Sequence, residues 1–184
     1  MTFEHRPLSW KNKAGRALWN ACWVVFFRSS PVFLHGWRRF LLRCFGARVG
    51  AGARPYPRAR VWAPWNLVMD ERSCLGNDVD CYCVDRIELG RGAIISQYAY
   101  LCSASHDFRS LDFGLVTAPI RIADGAWIAA KAFIGPGVSI GARAVVGACS
   151  VVVRDVPSGV VVAGNPARIV GVSRTLRHAE CATA

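Results

Sequence analysis

From Ile122 onward the chain repeats every six residues, reading IADGAW, IAAKAF, IGPGVS, IGARAV, VGACSV and VVRDVP. The first place is always Ile or Val, the second Ala, Gly or Val, and the fifth Ala, Val or Ser. Upstream the phase holds through LGNDVD (75–80) and CYCVDR (81–86), slips by two residues, and resumes as LGRGAI (89–94), ISQYAY (95–100) and LCSASH (101–106). Weaker copies begin at Val49, Val61 and Leu67. A helix repeats its faces every 3.6 residues and a strand every two, so neither explains a period of six. A short strand followed by a tight corner does, with the aliphatic turned inward and the small second residue easing the turn. Such turns stack, pairing strand on strand in parallel. A sandwich of valine-rich strands would not keep so strict a phase.

The first third reads differently. Residues 6–48 predict two short helices. Arg16–Arg28 forms the first, and Ser29-Ser30-Pro31 breaks it and starts the second. The second carries Phe33, Trp37, Phe40, Leu41 and Cys44 at helical spacing, beside Arg38, Arg39 and Arg43, and Gly46 ends it. The apolar run Ala17–Phe27 is broken by Asn20. It falls short of the ~20 residues a membrane-spanning helix needs, and no A-x-A site follows it. Its aromatic and basic residues suit a membrane interface. They equally suit packing on the main domain or on another subunit.

The chain has 184 residues, enough for one domain and a short extension. At 53% hydrophobic and 19% charged it is not a disordered chain. The net charge of +11 lies wholly in residues 1–60, which hold 12 Lys or Arg and one acid. The remainder balances 11 basic against 11 acidic residues, which argues against a nucleic-acid-binding core. The eight cysteines show no paired CxxC units, so reduced, mostly buried thiols and a cytoplasmic location are expected, at most peripheral to the inner membrane face.

The repeat resembles the hexapeptide-repeat acyltransferases over roughly residues 49–170. AYLCSASHDF (99–108), APIRIADGAWIAAKAFIGPGVSIG (118–141) and VVVAGNPARIV (160–170) look like the colanic-acid or exopolysaccharide O-acetyltransferase branch. SWKNKAGRALW, GWRRFLLRCFGA and APWNL in the first third look like it too. The resemblance implies a left-handed parallel β-helix, whose hand departs from the usual right-handed crossover rule. The domains expected are a basic helical leader (1–48), the β-helix (49–163) with an active-site loop (107–119), and a C-terminal cap and tail (164–184).

His106 is the only histidine inside the repeat and opens a non-repeating stretch. By resemblance it is the general base, and imidazole chemistry agrees, because a neutral ring can take the proton of a sugar hydroxyl attacking a thioester. Asp107 and Asp85 are candidates to orient the ring, and Asp85 also to hold the acceptor. The resemblance places Trp127, Ala130, Ala148, Arg154 and Arg168 at acetyl-CoA: Trp127 lining the cleft, the alanines admitting the pantetheine arm, the arginines meeting phosphates. A backbone N–H near Ala130 of a neighbouring subunit is the expected oxyanion donor. Gly171 and Val172 stand where the family often has a further basic residue.

The expected activity is therefore acetyl transfer from acetyl-CoA to a sugar hydroxyl in surface-glycan synthesis, without a metal or nucleic acid, by a homotrimer with sites between subunits. The acceptor is a glycan or sugar nucleotide, and residues 1–45 are a candidate membrane contact. Two alternatives stay open: N-acylation of an amino sugar nucleotide, and a non-catalytic envelope scaffold. A zinc carbonic anhydrase of this fold needs three converging histidines, and His5, His35 and His178 lie outside the repeat.

Overall fold

The computed structural model describes residues 4, 5 and 9–173. Their main body is a three-sided parallel β-helix. Face one stacks Arg48–Val49, Leu67–Met69, Ile87–Leu89, Ile120–Ile122 and Ser139–Ile140. Face two stacks Arg54–Pro55, Cys74–Leu75, Ile94–Ile95, Trp127–Ile128, Val145–Val146 and Val160–Gly164. Face three stacks Arg60–Val61, Asp80–Tyr82, Tyr100–Cys102, Phe133–Ile134 and Val151–Val152. Successive rungs pair in parallel, until Ala167–Val172 folds back antiparallel on Val160–Gly164.

The six-residue phase maps directly onto this frame. Leu75, Cys81, Ile95, Leu101, Ile122, Ile128, Ile134, Ile140, Val146 and Val152 fill the interior and are at most 2% exposed. The fifth places Ala126, Ala132, Val138, Ala144 and Ser150 are fully buried beside them. Burying such apolar side chains contributes about 1.5–3 kcal/mol each relative to exposure. The repeat is thus a packing code, one large and one small inward residue per strand.

The corners need a correction. The second place is small because the next coil's backbone passes against it: a Cβ on Gly141 would lie 2.3 Å from Ser158 N, and one on Gly50 2.6 Å from Glu71 N. The turn itself is made at the fourth place, where φ is positive. Glycine holds it at Gly92 and Gly125, but Asp78, Tyr98, Lys131, Arg143 and Cys149 adopt it too, with φ between 56° and 62°. Left-handed backbone costs an L-residue about 1–2 kcal/mol, a cost offset here by the stacked coils.

Early coils advance by 20 residues (Val49 to Met69 to Leu89) and later ones by 18 (Ile122 to Ile140). The extra pair sits at the edge between faces three and one, which accounts for the two-residue slip. The long insertion leaves from the same edge. There Ala104–His106 and Leu115–Thr117 form an antiparallel hairpin, so the departure from the repeat begins before residue 107. The backbone of Glu4–His5 adds a third strand, Glu4 opposite Thr117.

The leader caps the first coil. Helix α1 spans Trp10–Cys22, begun by Ser9, whose hydroxyl accepts from Asn12 N. It therefore starts earlier than Arg16. The apolar period appears only after that polar first turn, but capping sets the start. A wider π-type turn, Trp23–Phe27, extends it. Helix α2 is His35–Cys44, starting after Pro31 because residues 31–34 are spent in turns. Gly46, at φ 89°, ends it as expected. Trp19, Phe27 and Leu42 are fully buried, and the indole N–H groups of Trp19 and Trp23 donate to Val61 O and Ala59 O at 2.6 and 2.9 Å. Fully buried Arg38 donates to Pro55 O, Pro31 O and Ser30 Oγ. One side of the leader therefore packs on the β-helix. Phe33, Trp37 and Phe40, grouped with Leu41 by spacing, instead face outward.

Candidate active site

His106 ends the first strand of the hairpin and is exposed. Its Nδ1 lies 2.8 Å from the carbonyl oxygen of Phe113, and its ring stacks on the Phe113 ring, 4.7 Å between centroids and 6° apart. A carbonyl only accepts, so Nδ1 carries the proton and Nε2 of the neutral ring keeps its lone pair. Phe113 is delivered to this position by a tight turn, at φ 43° with its N–H donating to Ser110 O. The result is a ring held at one nitrogen, with a lone pair left on the other.

Asp107 does not orient this ring. Its Oδ1 accepts from Arg109 N at 3.0 Å and its N–H donates to Gly114 O, so the carboxylate shapes its own loop. The orienting acceptor is the Phe113 carbonyl, which carries no sequence signal because every residue has one. Asp85 lies one coil below on the same edge. Its N–H donates to Ser103 Oγ at 2.9 Å, and its Oδ1 accepts from Arg86 N. Ser103 donates onward to Tyr82 O, tying the root of the hairpin to the coil below. The Asp85 carboxylate lines a polar groove of about 310 Å³ with Arg48, Trp65, Asn66 and Arg86. Among the described residues, no hydrogen bond joins Asp85 to His106.

Arg154 and Arg168 come together. Both are exposed and line one cavity of about 170 Å³ near the C-terminal end, where Ala167–Val172 folds back. Arg154 lies on the same edge as Asp85 and the hairpin.

Trp127, Ala130 and Ala148 fall elsewhere. Trp127 stands on face two, 47% exposed, its indole N–H donating to Ser96 Oγ at 2.9 Å. Ala130 and Ala148 lie on the edge between faces two and three, stacked by a bond from Cys149 N to Ala130 O. Among the described residues, Ala130 N donates to no backbone carbonyl. Further along that edge a groove of about 480 Å³ runs past Arg58, Asp78, Ser96 and Tyr98. It is the largest of the three cavities, and it is not at His106. The candidates thus form two sets on two edges of the prism, and a single chain does not bring them together. Arg174 and His178 lie outside the described residues, within which no three His, Cys, Asp or Glu side chains cluster as metal ligands.

The six-repeat model of the bacterial transferase hexapeptide matches residues 119–154. A relative from Escherichia coli (strain K12), bearing the name colanic acid biosynthesis acetyltransferase WcaF, is 40% identical over 153 residues, 83% of this chain and 84% of its own. The solved structure of the hexapeptide-repeat acetyltransferase VCA0836 from Vibrio cholerae superposes with a TM-score of 0.80 at 27% identity, covering 89% of this chain and 93% of that one. A second structure of it, in complex with acetyl coenzyme A, gives a TM-score of 0.78 at 25% identity over 90% and 91% of the two chains. A six-residue packing code, a β-helix that obeys it and a relative matched over most of both chains agree: the chain is an acetyltransferase of the hexapeptide-repeat family.

Proposed function

We propose that the enzyme transfers the acetyl group of acetyl-CoA to a sugar hydroxyl during surface-glycan synthesis, with His106 as general base. The observation that carries this is the bond from His106 Nδ1 to Phe113 O, which leaves Nε2 as the proton acceptor. The hydroxyl oxygen attacks the thioester carbonyl as Nε2 takes its proton. The tetrahedral intermediate then collapses, the C–S bond breaks, and the imidazolium returns the proton to the departing sulfur. A positioned base supplies about 10² to 10⁴ in rate; positioning and oxyanion donors supply more. The names of the colanic acid relative and of the acetyl-CoA complex support donor and acceptor class.

The division of the candidates between two edges supports a site between subunits. In a cyclic trimer the His106 edge of one chain would meet the Ala130 edge of the next, and the closing contact recurs three times. Ala130 N–H is then available to the oxyanion, and Trp127, Ala130 and Ala148 line the cofactor cleft. Arg154 and Arg168 supply guanidinium groups for coenzyme A phosphates. Light scattering should return about three times the 20.1 kDa chain mass; a monomer would contradict the shared site.

The test of the base is His106→Ala, assayed by mass spectrometry for acetylated product across neutral and amino sugars. The expected result is an O-acetyl product from wild type and a kcat lowered by about 10² or more in the variant. Turnover retained within a few-fold would reject His106. An N-acetyl product alone would reject the hydroxyl acceptor.

A further inference from the structure

We infer that the outward side of the leader is a docking face for an anionic lipid surface. The turn after α1 and the adjoining side of α2 leave Val25, Phe26, Phe33, Trp37 and Phe40 between 40% and 78% exposed. Trp37 joins Phe26 to Phe40. The Trp37 indole N–H donates to Phe26 O at 3.0 Å, and the Trp37 and Phe40 rings stack 5.7 Å apart. Buried Arg38 fixes the intervening loop through bonds to Pro31 O and Val32 O. Folding therefore builds this apolar surface and holds it in shape. Contiguous exposed patches of this kind mark interaction surfaces.

Charge selects the occupant. Residues 9–44 contain no acidic residue; Arg38 is buried, and Arg39 and Arg43 bond to Ala53 O and Val49 O, while Lys11, Lys13 and Arg28 stay exposed. A second copy of this face would set cations against cations, and residues 61–184 of a copy carry no net charge to attract it. An anionic headgroup layer satisfies both halves of the surface: acyl chains receive the aromatic rings while the exposed Lys and Arg meet phosphates. No helix among the described residues is long and apolar enough to cross a membrane, so the contact is interfacial. The patch lies on the far side of the leader from Trp19, Phe27 and Leu42, which pack on the first coil, so docking requires no undocking of the cap.

The full-length protein should float with vesicles of phosphatidylcholine and phosphatidylglycerol, less with phosphatidylcholine alone, and less as salt rises. Phe33→Ser with Phe40→Ser, and separately Arg28→Gln, alter only exposed side chains. Each should leave the circular dichroism spectrum unchanged, and the double variant should lower the partition coefficient about tenfold. Equal flotation of the double variant would overturn the inference. So would protection of residues 24–40 from hydrogen exchange that depends on protein concentration without lipid, because a second copy would then be the occupant. None of these readouts uses acetyl transfer, so the outcome is independent of the reading of His106.

Discussion

Two groups compete for one nitrogen of His35. Its Nδ1 lies 3.0 Å from Pro55 O, which can only accept, and 3.1 Å from Arg38 Nη2, which can only donate. Burial holds the imidazole below its usual 6.5; the Pro55 carbonyl pulls it upward, and the Arg38, Arg39 and Arg54 cations push it further down. A depressed folded-state value means that the unfolded chain binds the proton more readily. Stability is then fully present above the unfolded value and is lost as pH falls through 6.5 toward the folded one. Protonation adds a cation beside a fully buried guanidinium at the joint between leader and coil. Protection factors of residues 35–44, taken relative to the intrinsic exchange rate at each pH, should therefore fall between pH 7.5 and 5 in wild type and change less in His35→Gln. Equal pH dependence in both would contradict this. His106 has a simpler arrangement, with the single acceptor Phe113 O at Nδ1.

At the scale of the coil, the places in the hexad differ in how openly they show in sequence. Ile122, Ile128 and Ile134 declare themselves because an inward position accepts little but aliphatics. The slip near residue 87 marks coils of 20 residues rather than 18, and the break after His106 marks the hairpin, whose first strand already begins at Ala104. The corner did not show itself, because the fourth-place side chains point to solvent and Arg72, Asp78, Tyr98, Lys131 and Arg143 share a backbone angle but no chemistry. That difference predicts unequal tolerance. Gly141→Ala places a Cβ 2.3 Å from Ser158 N and should cost about 1–3 kcal/mol. Gly92, at φ 65° with nothing within 4 Å of a Cβ, should accept Asn at a cost under about 1 kcal/mol. Urea denaturation measures both, and the reverse order would reject the assignment of the turn to the fourth place. Helix α1 hid its start in the same way: Trp10-Lys11-Asn12-Lys13 carries no apolar period, and only the Ser9 hydroxyl marks where it begins.

For the whole molecule, the prism sets its candidate residues along two edges. His106, Asp85 and Arg154 follow the edge where coils lengthen, and Ala130 and Ala148 follow the next. His106 stood out in sequence as a lone histidine opening a loop, and the role proposed for it came from the resemblance. Its partner, the Phe113 carbonyl, depends on a turn that only folding makes. Of the expectations for the leader, packing on the main domain is met by buried Trp19, while Phe33 stands in solvent. Titrating acetyl-CoA calorimetrically into wild type and His106→Ala tests the account most directly. Saturable binding by both at one site per chain, with affinities within a few-fold and turnover lost only in the variant, is the predicted result. A folded protein that takes up no acetyl-CoA, or a variant that turns over like wild type, would contradict it.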